Sequence, residues 1–159
     1  MRLALGARTA VLLSGILPTA LLAGVSLQVF DNREVRTLIV LTRAMFPHNE
    51  LDDIYYVDVV RKLDENAASS AEFLRVIRTG IAALDEAVSG TWVDATVDDK
   101  LQTLEALQTE SFFAAILNQT IDVLYRNQEV LTMLGYQGSS IEYGGYLHRG
   151  FDDIGWLPR

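Results

Sequence analysis

The 159-residue chain is long enough for one domain with a buried core but not comfortably for two, so we expect a single domain. Its formal net charge of −8, with no basic stripe that alternates with aromatic residues, argues against nucleic acid as a partner. The absence of cysteine excludes disulfide bonds, thiolate zinc sites, iron–sulfur clusters and covalently attached c-type haem in this chain.

The amino-terminal 30 residues have the pattern of an export signal or a single membrane span. Thr9 to Phe30 is a run of 22 residues without a charge, preceded by Arg2 and Arg8. This pattern predicts a periplasmic protein that reaches the membrane through its amino-terminal segment. A buried helix of a soluble domain is the alternative interpretation of the same run.

The fate of this segment is left open by the sequence. Small residues suited to positions −3 and −1 of a cleavage site occur at Gly24 and Ser26. Residues 1–30 are therefore either a cleaved signal or a retained anchor in the inner membrane.

Apolar residues at helical spacing predict a series of helices after this segment. The first covers about 33–45 and ends before Pro47, because the residue before proline is disfavoured in the α region. The second follows the apolar positions Ile54, Val57, Val60 and Leu63. A capping box of Ser69 and Glu72 predicts the start of the third, which carries Phe73, Ile77, Ile81, Leu84 and Val88 and stops at Gly90.

Three further helices are predicted in the second half of the chain. Thr96 with Asp99 is expected to cap a short fourth helix, and the most apolar stripe, from Phe112 to Leu124, predicts the fifth. Asn127 is expected to cap a last short helix that ends at Gly135. No strand alternation of convincing length occurs, so we predict an all-α fold: one irregular helical bundle with an amino-terminal signal or anchor helix.

The predicted organisation has three parts: the signal or anchor at 1–30, the helical domain at 31–134, and a tail of the same domain at 135–159. The tail contains six of the eleven glycines and five of the fourteen aromatic residues. Glycine permits tight turns, and each aromatic ring buries a large area on contact, so this loop segment is predicted to dock on a partner or to pack over its own domain. The predicted partner-binding residues are Tyr136, Tyr143, Tyr146, Arg149, Phe151 and Trp156.

Candidate chemical groups are few. Each of the two histidines is followed four residues later by a carboxylate, which pairs His48 with Asp52 and His148 with Asp152. Such pairs suit a metal or acid–base chemistry when the intervening backbone is helical, but Pro47 and the glycines around His148 argue against one helix face. Loop histidines bonded to the backbone or to a carboxylate are the simpler interpretation, and we predict no catalytic residue, no metal site and no cofactor in this chain.

Three stretches of the sequence resemble the gluconate 2-dehydrogenase subunit 3 family. They are LTRAMFPHNELDDIYYVDVVRKLD (Leu41 to Asp64), FFAAILNQTIDVLYRNQEVLTMLGYQG (Phe112 to Gly138) and GGYLHRGFDDIGWLP (Gly144 to Pro158). The resemblance spans roughly residues 30 to 158 and is strongest in the last third.

The resemblance implies a non-catalytic small subunit of a bacterial, membrane-associated dehydrogenase that oxidises sugars or sugar acids. Its expected partners are a large FAD-containing catalytic subunit and a multihaem cytochrome c that takes the electrons, so FAD and haem c belong to those partners. Many relatives carry a twin-arginine export signal. Arg2 and Arg8 are not adjacent, which departs from that pattern and leaves the export route open.

Two other functions remain as alternatives. One is a self-contained sugar-binding protein or enzyme that uses His48 and His148 with the nearby carboxylates; it requires the two segments to meet in the fold. The other is a simple membrane tether. The role of a maturation factor, as opposed to a permanent subunit, also stays open.

Overall fold

The structure is a computed structural model that describes residues 27–136, 138–139, 141 and 144–145. Within these residues it contains six α-helices, one 3₁₀ helix and no strand, which confirms the all-α prediction for this part of the chain. The elements are α1 (Asn32–Met45), α2 (Asp53–Ser69), α3 (Ala71–Glu86), the 3₁₀ helix (Trp92–Asp94), α4 (Val97–Leu107), α5 (Ser111–Arg126) and α6 (Gln128–Met133). The predicted amino-terminal helix lies outside the described residues.

Polar side chains fix where several helices begin. Asp31 and Glu34 form a capping box at α1, in which the Asp31 carboxylate accepts from the backbone N–H of Glu34 and the Glu34 carboxylate accepts from that of Asp31. Thr96 caps α4 by accepting from the N–H of Asp99, and Asn127 caps α6. These caps confirm the predicted starts of α4 and α6. Such starts are predictable from sequence because capping depends on short-range contacts within the first turn.

The predicted cap of α3 is wrong by one residue. Ser70, not Ser69, accepts a hydrogen bond from the N–H of Phe73. Ser69 is the last residue of α2, and its hydroxyl donates to the carbonyl of Glu65 in the preceding turn. Because α2 and α3 are separated by a single residue, two neighbouring serines serve two different helix ends.

Helix α2 lies at the centre of the bundle and packs against α1, α3 and α5. Each of these helices turns its apolar stripe inward, which is how an amphipathic helix gains most of its stability. The fully buried large side chains of the core include Leu38, Ile39, Tyr56, Leu63, Ile77, Leu84, Trp92, Ile116 and Leu124.

Candidate functional site

The predicted docking segment begins where α6 ends. Gly135 has a φ of +83°, and the N–H of Tyr136 bonds back to the carbonyl of Leu131 while the N–H of Gly135 bonds to that of Thr132. This is a Schellman motif, in which a residue at positive φ stops the helix and satisfies its last carbonyls. Helix α6 therefore ends at a turn that glycine makes without strain.

Three large apolar side chains on and just after α6 face solvent. Met133 and Tyr136 are each about half exposed, and Ile141 is 86% exposed. Glycines at positive φ separate and follow them: Gly135, Gly138, Gly144 and Gly145. We call these three residues, Met133, Tyr136 and Ile141, the exposed apolar segment.

Most of the predicted docking residues follow this segment. Of the six, the structure describes Tyr136 and places its ring partly in solvent. The other five lie outside the described residues, so their role stays a prediction: Tyr143, Tyr146, Arg149, Phe151 and Trp156.

The structure describes one of the two histidine–carboxylate pairs of the alternative site, His48 and Asp52. The Nε2 atom of His48 lies 2.7 Å from the hydroxyl of Tyr125 on α5, and the two rings meet edge to face. Asp52 is exposed at the amino-terminal end of α2 and makes no capping hydrogen bond there. His48 therefore joins the 46–52 loop to α5, as a packed loop histidine does. His148 and Asp152 lie outside the described residues, and their approach to His48 stays a prediction.

A buried polar cluster beneath the same loop was not predicted from the sequence. The guanidinium of Arg43 donates to the carbonyl of Leu51 at 2.8 Å, lies 3.4 Å from the carboxylate of Asp53, and sits over the ring of Tyr56 at 4.6 Å. The Tyr56 hydroxyl donates to the carbonyl of Phe46, and burial raises the pKa of that hydroxyl. The cluster holds the turn after α1 against α2, because it satisfies backbone carbonyls that no helix satisfies.

A second unpredicted feature lies next to the amino-terminal segment. The carboxylate of Asp64, which is 1% exposed, accepts hydrogen bonds from the backbone N–H groups of Gln28, Val29 and Phe30 at 2.6, 3.0 and 2.9 Å. Arg78 on α3 donates to the carbonyl of Val29 at 3.0 Å. We call these contacts the amino-terminal clamp.

The clamp makes residues 27–30 part of the helical domain. The ring of Phe30 is buried, and Leu27 and Val29 pack against the same core. Arg78 also pairs with Glu34 at 2.7 Å, which ties the clamp to the first turn of α1. The last four residues of the uncharged run thus contact this domain, and Phe30 is the one of them that is buried.

A cavity of about 390 Å³ lies between α3 and the start of α5. It is open to solvent, and its lining combines Arg75, Thr79, Glu110 and Ser111 with the ring of Phe112. None of the predicted site residues is among the described residues that line it.

Two features are absent from the part of the chain that the structure describes. No group of three or more histidine and carboxylate side chains is arranged to hold a metal ion among the described residues. No helix in that part of the chain is both long and apolar enough to cross a membrane.

No protein-family model matches this chain, and no curated protein or solved structure matches it either. The resemblance to the subunit 3 family of gluconate 2-dehydrogenase therefore stays a prediction from the three sequence stretches.

Proposed function

We propose that this chain is a non-catalytic accessory subunit, or a maturation partner, of a periplasmic or membrane-associated flavin-dependent dehydrogenase that oxidises sugars or sugar acids. Its direct partner is the large FAD-containing subunit, and a multihaem cytochrome c receives the electrons. The exposed apolar segment is the observation that carries this proposal. It continues directly into the tail that resembles the family most strongly.

The energetic argument concerns Met133, Tyr136 and Ile141. Single exposed apolar residues are common on protein surfaces, but these three lie within nine residues on a segment turned by glycines. When a partner covers them, each Å² of apolar surface removed from water stabilises the complex by about 25 cal/mol.

The other functions have less support among the described residues. His48 is engaged with Tyr125, and Asp52 is exposed at the start of α2, so this pair gives no sign of an assembled acid–base site. The tether function assigns no role to the exposed apolar segment. Replacing residues 1–26 with a cleavable signal separates the tether from the accessory subunit, since a pure tether then loses its effect on the partner's activity while the clamp residues 28–30 stay in place.

The proposal is tested by co-purification of a tagged full-length chain from a bacterium that carries its native chromosomal neighbourhood. We expect a flavin-containing protein to accompany it, and the double variant Tyr136→Ala with Ile141→Asp to reduce recovery of that protein at least tenfold. Leu101→Asp on α4 is the matched control, because it places the same charge at an apolar side chain that is about half exposed elsewhere. Equal recovery with all three proteins contradicts docking through the exposed apolar segment.

A further inference from the structure

The cavity between α3 and the start of α5 has an apolar floor that is already formed. Val76, Gly80 and Ala83 recur at helical spacing on α3 and contribute to it, together with Leu107 of α4 and Phe112 of α5. The Phe112 ring lies so close to the backbone of Gly80 that a Cβ there would come within 1.9 Å of it, and this contact fixes the ring. The cavity volume of about 390 Å³ suits a small molecule, because such sites usually span about 300–1,000 Å³.

The rim of the cavity is polar and receives side chains from two helices. Arg75 and Thr79 lie one turn apart on α3, whereas Glu110 and Ser111 lie at the start of α5, and all four are exposed. Their side chains form no hydrogen bond or ion pair with another residue in the described part of the chain. A ligand in the cavity therefore meets a guanidinium, a carboxylate and two hydroxyl groups that are not already engaged there.

Arg75 differs from the other arginines that the structure describes. Each of the others pairs with a carboxylate: Arg33, Arg36, Arg43, Arg61, Arg78 and Arg126. With a formal net charge of −8 the chain has carboxylates to spare, yet Arg75 pairs with none among the described residues. A guanidinium presents a planar pair of N–H donors that matches a carboxylate. Arg75 is therefore the group at this cavity that suits the carboxylate of a ligand.

Glu110 supplies the opposite charge at the same cavity. It directly precedes α5, but its carboxylate makes no capping hydrogen bond. A purely anionic ligand would face this carboxylate as a like charge, and a purely cationic ligand would face Arg75 in the same way. We infer that the cavity binds a small zwitterion, with its carboxylate at Arg75, its ammonium group at Glu110 and an apolar body on the floor. Amino acids with a large apolar side chain have this chemistry.

The test is isothermal titration calorimetry of the full-length chain with three matched probes. L-phenylalanine carries both charges, phenylpropanoate lacks the ammonium group, and phenylethylamine lacks the carboxylate. We expect L-phenylalanine to bind about fivefold more tightly than either single-charge probe, which is the scale of one charge-assisted hydrogen bond at a partly exposed rim.

Two variants assign the charges to their positions. Arg75→Gln should weaken binding of L-phenylalanine about fivefold without weakening that of phenylethylamine, and Glu110→Gln should do so without weakening that of phenylpropanoate. Arg126→Gln is the matched control, because it removes an exposed arginine of α5 that does not line the cavity. Both test positions are exposed and Glu110 makes no cap, so the helices should persist, as circular dichroism verifies.

Three outcomes overturn the inference: no binding of L-phenylalanine at millimolar concentration, equal affinity for the three probes, or unchanged affinity for L-phenylalanine in Arg75→Gln. The inference goes beyond the proposed function and uses no flavoprotein partner. A failure here is therefore told apart from a failure to recover a flavin-containing protein.

Discussion

Replacing Asp64 with asparagine should destabilise the domain strongly, because the amino-terminal clamp depends on two acceptor oxygens. In Asp64→Asn the oxygen retained can still accept from Val29 and Phe30, but the amide group replaces the oxygen that accepts from Gln28 at 2.6 Å. The N–H of the new side-chain amide then faces the backbone N–H of Gln28, and neither can accept a hydrogen bond. Leaving that N–H unsatisfied costs about 1–3 kcal/mol, and the other two bonds each lose about 1 kcal/mol when their acceptor loses its charge.

The sum is a loss of about 3–5 kcal/mol, a large share of the roughly 5–15 kcal/mol that stabilises a typical domain. Urea unfolding followed by circular dichroism measures it, with thermal unfolding as a second measurement. Asp58→Asn on the same helix is the matched control. Asp58 pairs with Arg61 at the surface, so its loss should change the free energy of unfolding by about 0.5 kcal/mol or less. If the two variants are equally stable, the clamp does not hold residues 28–30 as described.

Three further substitutions test contacts within the helical domain. Gly80→Ala should reduce the free energy of unfolding by about 1 kcal/mol, because a Cβ there would lie 1.9 Å from the Phe112 ring. Overpacking of this kind costs roughly 1–3 kcal/mol, which exceeds the gain of about 1 kcal/mol in helix propensity. Urea unfolding measures the net loss, and a gain in stability contradicts the close contact. Tyr125→Phe should cost about 0.5–1.5 kcal/mol through the lost hydrogen bond to His48, and an unchanged unfolding midpoint in urea argues against that bond. Burial lowers the pKa of Lys100, so the unfolded chain keeps the proton on this side chain to higher pH than the folded chain does. Relative to Lys100→Met, the wild type should therefore gain stability as pH rises toward 10.5. Unfolding at pH 7 and at pH 10 measures this difference, and a relative loss of stability contradicts the lowered pKa.

The helices were largely predictable because their signals are local. The stripe from Phe112 to Leu124 repeats at the helical period, and the caps at Thr96 and Asn127 depend on contacts within one turn. The error at Ser69 has the same origin: two adjacent serines both fit a local capping pattern. Choosing between them requires knowing how far α2 extends before α3 begins.

The buried charges were not predictable from local sequence. Arg43, Asp64 and Lys100 look like surface residues of amphipathic helices, yet each is buried. Asp64 is retained in the core by amides about 35 residues away in sequence, and Arg43 by the carbonyl of Leu51. Partners at such distances become visible only when the bundle is assembled, because burial of a charge depends on what compensates it.

The candidate site likewise has one part that was predictable from local sequence and one that was not. A glycine stop after α6 was predicted from Gly135, and the structure confirms it with a positive φ and two closing hydrogen bonds. The contact between His48 and Tyr125 joins residues 77 apart in sequence, and no periodicity in the chain points to it. Docking by Tyr136 and the tail remains a prediction, because it depends on a surface that belongs to another protein.

The most direct test of the central claim is the flavin content of what purifies with this chain. A tagged copy of the full-length chain, in its native chromosomal neighbourhood, should bring down FAD in a constant ratio with one large polypeptide. The matched protein that lacks Tyr136 to Arg159, with its helices verified by circular dichroism, should bring down neither. Recovery of the full-length chain without flavin, or equal recovery of the flavoprotein by the truncated chain, contradicts the account.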